Sequence, residues 1–228
     1  MFPERRAARG SRRWLVGLAA LGLCACGGGA SDPVSYDGGG PAPVTDAGPA
    51  GPAPSQKALV KFKGPDRLRN DLGRALELAD GEICNELGRY SCTGFVHRVP
   101  LGGTAPYDLG LYQPLPQAAL TGPLAVERVV MSACVARVDR DLGGDEVLFG
   151  GLALDAAGAL VDVDGADVTT AVTRLYERAL QRRPEDAELG HLRQLYRDVE
   201  AAGGARPARD WAVLACFAVM TSMEQLFY

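Results

Sequence analysis

The chain has 228 residues, 47% of them hydrophobic, with 24 basic and 28 acidic side chains and a formal charge of −4. That balance excludes the basic footprint of a nucleic-acid binder. Length and apolar content suffice for one domain with a real core.

The N-terminus concentrates charge of one sign. Arg5, Arg6, Arg9, Arg12 and Arg13 face a single acid, Glu4, and Trp14 to Leu23 is then uncharged and apolar. Ten apolar residues in a helix rise only about 15 Å, roughly half a bilayer core. A cleavable export signal over residues 1–25 is therefore expected rather than a membrane span. The alternative is an ordinary secretory signal in which Cys24 and Cys26 are incidental.

The run Leu23-Cys24-Ala25-Cys26-Gly27 resembles the lipobox of bacterial lipoproteins. The resemblance implies that the Cys26 sulfur carries a diacylglycerol and its amine a further acyl chain such as palmitate. Two or more chains hold a protein stably to a bilayer, at about 0.8 kcal/mol per buried methylene. Because glycine and not aspartate follows Cys26, the resemblance further implies delivery to the outer membrane of a Gram-negative envelope. Lipid is thus the first partner expected, and the periplasm or cell surface the compartment.

Residues 26–57 hold almost no large apolar side chain and are dense in Gly, Pro, Ala, Ser and Asp. Such a segment buries too little surface to offset its ordering entropy. It reads as a tether averaging about 30 Å end to end if flexible, against a domain radius of gyration near about 15 Å. Removal of residues 1–25 takes away five basic side chains and one acid, leaving 19 against 27 and a formal charge of −8. Lys57, Lys61 and Lys63, the three lysines of the chain, cluster where the tether meets the domain and read as a solvated linker end.

The remaining stretch, 58–228, is expected to be a single, mainly α domain. It reads as a small helical bundle with a long Gly/Pro-rich loop and at most one short β-hairpin. Leu68, Leu72, Ala75, Leu76, Ala79, Ile83 and Leu87 recur at helical spacing, and Gly81 interrupts them. The segment is one kinked helix or two short ones. From Ser91 to Pro123 ten Pro and Gly residues punctuate an ordered loop pinned by Cys92.

Leu124 to Leu142 is helical again, with Val126, Val129, Val130, Ala133 and Cys134 on one face and Arg137 and Asp139 off it. The acids Asp139, Asp141, Asp145 and Glu146 read as the solvated end of this helix. Val147 to Val163 alternates apolar residues around Gly150-Gly151 and Gly158, which suits either a short hairpin or a loop with two apolar plugs.

Residues 168–228 read as a three-helix unit. Val172, Leu175, Tyr176, Ala179 and Leu180 make one stripe; Leu189, Leu192, Tyr196 and Val199 make a second. Arg183-Pro184-Glu185-Asp186 reads as a helix start with proline in the first turn, and Gly203-Gly204 as its stop. Trp211 to Met220 is apolar almost all round, the mark of a helix in the middle of a bundle.

Leu175-Tyr176, Arg182 or Arg183, Pro184 and Glu188-Leu189, then Trp211-Ala212 and the ending Ser222 to Tyr228, resemble C-terminal helical domains of unknown function in large bacterial envelope proteins. Some of those accompany cytochrome-like modules. The resemblance implies no catalytic residues, and it suggests, as an alternative to a scaffold, an accessory subunit of an envelope redox system.

Beyond Cys24 and Cys26 the cysteines are Cys84, Cys92, Cys134 and Cys216. An even number in an exported chain favours disulfides, and four cysteines allow three pairings. Cys84–Cys92 with Cys134–Cys216 is the preferred set, and free buried thiols are the alternative. No CxxC pair or CxxCH is present, so neither a zinc site nor covalent haem is expected, and no cofactor is assigned.

Other chemistry finds little purchase. His97 and His191 have no spacing that would pair them, or either with Met220 or Met223, as haem ligands, and His97 reads as a loop hydrogen-bonder. Ser91, Ser132 and Ser222 lack a GxSxG setting. Cys92 with His97 would mimic a thiol–imidazole pair only if Cys92 were reduced. Asp162, Asp164 and Asp167 fail the EF-hand pattern, with glycine fourth rather than sixth, and read as a turn before a helix start.

The expected function is non-catalytic recognition or scaffolding at the envelope, with an envelope protein as unnamed partner. The loop from Cys92 to Gln117, carrying His97, Arg98, Tyr107 and Tyr112, is the contact surface to test first.

Overall fold

A computed structural model describes residues 61–114 and 121–227. The leader, Cys26, the tether and residues 58–60, the loop segment 115–120 that includes Gln117, and Tyr228 lie outside the described residues. Those described belong to one compact unit running from Ser55 to Tyr228.

The unit is mainly helical, in the order α1 (Gly64–Leu76), α2 (Asp80–Ile83), β1 (Asn85–Glu86), β2 (Tyr90–Ser91), a π-helical turn (Cys92–Val96), α3 (Pro106–Leu109), α4 (Gly122–Leu142), α5 (Ala166–Leu180), α6 (Asp186–Ala201), α7 (Pro207–Met220) and α8 (Met223–Leu226). Helix α7 lies at the centre and packs against α4, α5, α6 and α8. Its Ala208, Trp211, Ala212, Ala215, Cys216 and Met220 are fully buried, as the all-round apolar pattern requires.

The first apolar stripe divides into two helices, and the break comes before Gly81. Glu77 takes a left-handed conformation (φ 49°), and the Leu78 amide donates to Gly73 O at 3.0 Å. That pattern ends α1 in a Schellman-type cap. Leu87 shares the helical spacing but is not helical. It sits at φ 55° in the turn of the β1–β2 hairpin, where Asn85 faces Ser91 and Glu86 faces Tyr90, and its side chain is exposed.

Two arginines from elsewhere in the chain close the C-terminal end of α1. Arg178 on α5 donates to Ala75 O (2.6 Å) and Arg74 O (3.1 Å), and Arg137 on α4 donates to Leu76 O (3.3 Å). Cations on the terminal carbonyls satisfy orphan acceptors and complement the helix dipole.

The acidic group at the C-terminal end of α4 departs from its reading as a solvated helix end. Asp141 is withdrawn from solvent and accepts the amides of Val147 (3.0 Å), Leu148 (3.0 Å) and Phe149 (2.9 Å) while pairing with Arg137 at 2.9 Å. Arg137 lies within the core and not off it. The physical reason is the chain reversal after Leu142. It leaves three amides without a ladder partner, and one buried carboxylate satisfies them. The reward is apolar: Leu148 and Phe149 plug the core, and Phe149 meets Trp211 edge-on at 6.1 Å. Asp139 pairs instead with Arg209 on α7 (2.6 Å), and Asp145 with Arg137 (3.0 Å) and Arg140 (2.9 Å).

Between α4 and α5 the chain makes both an apolar plug and a bridge. Leu154 pairs antiparallel with Leu160, around a turn in which Asp155 accepts the amides of Ala157 and Ala159. The Leu160 amide donates to the Tyr196 hydroxyl (2.8 Å), which tethers this segment to α6.

Helix α6 starts at Asp186, so Pro184 precedes the cap residue Glu185 instead of lying in the first turn. Glu188 reaches back to the Glu185 amide at 2.7 Å. The entering chain pairs with the leaving one: Phe62 bridges Phe227, and the Lys63 amide donates to Leu226 O (3.1 Å).

Candidate functional site

The cysteines form two disulfides. Cys84 is joined to Cys92 and Cys134 to Cys216, with Cα separations of 5.5 and 5.7 Å. The second links α4 to α7 in the core. The first closes the β1–β2 hairpin at its base, where the Cys92 amide also donates to Cys84 O (3.1 Å).

The loop after Cys92 therefore leaves from a rigid point. Its first residues wind into a π-helical turn closed by His97 N–H donating to Cys92 O at 2.7 Å. Ser91 Oγ accepts the Gly94 amide (3.1 Å) at the head of that turn. Ser222 Oγ likewise accepts the Gln225 amide (3.3 Å), so both serines cap short helical turns.

His97 and Arg98 hold the loop in place. A His97 ring nitrogen lies 2.9 Å from Glu86 Oε1, and Arg128 of α4 approaches the same oxygen at 3.3 Å. Arg98 Nε donates to Thr104 O (2.9 Å), and its guanidinium faces Asp66 at 3.3 Å. Gly103 is required at this crossing, since a Cβ there would meet Arg98 O at 2.8 Å and Pro65 at 2.9 Å. With both side chains engaged in the loop's own framework, the surface available to a partner is made by other residues of the loop.

That surface is aromatic and apolar. Tyr107 is 99% exposed, Tyr112 78%, Leu109 71% and Phe95 59%. Phe95, Val99, Pro100, Tyr107 and Leu109 line an open cleft of about 560 Å³ between the π-helical turn and α3. Solvent-exposed apolar groups gathered on one loop are a recognised mark of contact surfaces. Phe95 and Leu109 belong to this surface and were not singled out in the sequence. Their position amid loop punctuators, away from any helical stripe, was the available signal.

The acidic group Asp162, Asp164 and Asp167 is used structurally. Asp162 accepts the Asp164 amide (2.9 Å), Asp164 pairs with Arg197 (3.0 Å), and Asp167 accepts the Ala153 amide (2.9 Å). This is a turn leading into α5. His191 is exposed on α6, Met220 is buried and Met223 exposed. Among the described residues no helix is long and apolar enough to cross a membrane.

Four residues of the C-terminal motif, Tyr176, Arg182, Glu188 and Glu224, meet in one ionic knot. Arg182 pairs with Glu188 (2.7 Å) and Glu224 (2.9 Å) and lies over the Tyr176 ring at 5.3 Å. It thus ties the end of α5 to α6 and α8. Hydrogen bonding from Arg182, joined by that from the Glu185 amide, lowers the Glu188 carboxyl from 4.5 to about 2. Hydrogen bonds to Glu188 and Glu224 raise Arg182 above its ordinary value.

Comparison with family models, with curated proteins and with solved structures finds no match for this chain.

Proposed function

We propose that the protein is a lipid-anchored recognition or scaffolding unit of the bacterial cell envelope, without catalytic activity of its own. In this reading Cys26 is acylated, residues 26–57 act as the tether, and the loop after Cys92 presents the contact surface. The lipobox-like run Leu23 to Gly27 supports the anchor.

One observation carries the recognition role. Four large apolar or aromatic side chains, Phe95, Tyr107, Leu109 and Tyr112, stand in solvent, the first three lining an open cleft, on a loop whose base is held by a disulfide. Aromatic side chains carry large contact area on few rotatable bonds and anchor interfaces strongly.

Two measurements test the reading. Intact mass of the mature protein should show cleavage before Cys26 and the added acyl chains; a full-length chain or an unmodified thiol overturns the anchor. Site-specific photo-crosslinking from position 112 in envelope preparations should yield one discrete adduct, lost on Tyr107→Ala. Crosslinking unaffected by that substitution overturns the contact surface.

A further inference from the structure

Glu86, Cys92 and His97 each offer a ligand atom, and the three atoms lie within 4.8 Å of one another; among the described residues they are the one such group. The fourth participant is Cys84, bonded to Cys92. Local geometry explains the convergence. Cys84 and Glu86 are alternate residues of an extended segment, so their side chains leave on the same side. The hairpin returns Cys92 beside Cys84, and one π-helical turn, closed from His97 N–H to Cys92 O, sets His97 over Cys92. π-Helical turns concentrate at functional sites.

We propose that Cys84, Glu86, Cys92 and His97 form a zinc site that opens when the Cys84–Cys92 disulfide is reduced. In the oxidised state the two sulfurs are neutral and bonded to each other, and His97 rests on Glu86. A dithiol reductant donates two electrons to the S–S bond, which breaks. Two protons complete the Cys84 and Cys92 thiols, and the reductant closes into its own disulfide. Zn²⁺ then displaces those two protons and takes two thiolates, a His97 nitrogen and a Glu86 oxygen.

That set satisfies the tetrahedral preference of zinc, with Zn–S of about 2.3 Å and Zn–N of about 2.0 Å. The cysteine Cα atoms, 5.5 Å apart, need not move for the side chains to rotate onto one ion. Soft thiolates select zinc over magnesium or calcium. Two thiolates, a carboxylate and Zn²⁺ sum to −1, and the Arg128 guanidinium beside Glu86 offsets it, a role typical of the outer ligand sphere.

Access separates this disulfide from the other. Cys92 is buried like Cys134 and Cys216, but its partner Cys84 is 8% exposed, and Glu86 and His97 are partly exposed. A mild reductant therefore reaches Cys84–Cys92 first. The ligands follow the pattern Cys-x-Glu-x5-Cys-x4-His, which no search for CxxC detects.

The test uses the full chain with Cys24→Ser and Cys26→Ser, so that no leader thiol contributes. After treatment with a phosphine, which takes oxygen from water as it yields two electrons, and removal of excess reagent under argon, native mass spectrometry should show one zinc per chain. The oxidised chain should bind none. Cobalt in place of zinc should give a thiolate-to-metal charge-transfer band. His97→Ala and Glu86→Gln, which keep both cysteines, should each weaken zinc at least about tenfold. Cys84→Ser with Cys92→Ser should abolish binding. Absence of zinc in the reduced chain, or uptake indifferent to His97→Ala and Glu86→Gln, overturns the proposal.

Discussion

Arg137 and Asp141, one turn apart on α4, form a fully buried ion pair at 2.9 Å, and each holds a different neighbour in place. Arg137 closes the end of α1 through Leu76 O, while Asp141 gathers the amides of Val147, Leu148 and Phe149. The pair is thus a junction between α1, α4 and the segment that plugs the core. Removing one member of a buried pair strands the other charge and costs about 3–5 kcal/mol. Asp141→Ala leaves Arg137 only the half-exposed Asp145 and orphans three amides, and it should lower unfolding free energy by about that amount. Urea denaturation of Asp141→Ala, Arg137→Met and the double variant measures it. The double variant should fall short of the sum of the singles, and strict additivity would contradict the junction.

The two disulfides should contribute unequally. Cys134–Cys216 spans 82 residues and Cys84–Cys92 only 8. Chain entropy gives about 4–5 kcal/mol for the long loop and about 2–3 kcal/mol for the short one. Paired Cys→Ala replacements compared in urea should show the larger loss for Cys134 and Cys216. The reverse order would count against the entropic account.

Acid should weaken the C-terminal knot. Glu188 has a folded pKa of about 2 against an ordinary 4.5. Its contribution is present above the unfolded value and is lost as pH falls from about 4.5 towards 2. Asp139 and Asp145, held down chiefly by hydrogen bonds from Arg209 and from Arg137 with Arg140, act in the same direction. Thermal unfolding across that window should show Glu188→Gln less stable at neutral pH but with a shallower acid limb. An unchanged slope would mean that Glu188 is not coupled to folding.

Tyr196 joins α6 to the bridge at Leu160. Its hydroxyl accepts the Leu160 amide (2.8 Å) and donates to Glu200 (3.1 Å). Tyr196→Phe leaves the buried amide unpaired and should cost about 1–3 kcal/mol. Hydrogen exchange should place the loss at Leu160, whose amide should exchange faster.

Tyr107 offers the opposite case. It is almost wholly exposed, so Tyr107→Ala should shift stability by no more than about 0.5 kcal/mol. A larger loss in urea would mean that the ring supports the fold.

The helices were legible where apolar spacing and breakers agree. The stripe Val172 to Leu180, the breaker pair Gly203-Gly204 and the all-apolar run from Trp211 each mark an element that the structure contains. Helical period alone misled at Leu87, since a hairpin closed by Cys84–Cys92 overrides it. Charge misled at Arg137 and Asp141. Side-chain type predicts exposure only when no chain reversal needs buried acceptors, and such a need is set by tertiary structure. The group Glu86–Cys92–His97 was illegible for a related reason: a strand pairing and a π-helical turn assemble it, and neither has a residue-level signature here.

The bond between Cys134 and Cys216 has a topological corollary. Every connection from α4 to α7 lies inside the ring it closes. A protease that nicks the backbone once anywhere in that ring produces no separable fragments, and the clipped molecule stays one covalent body until its sulfurs are reduced.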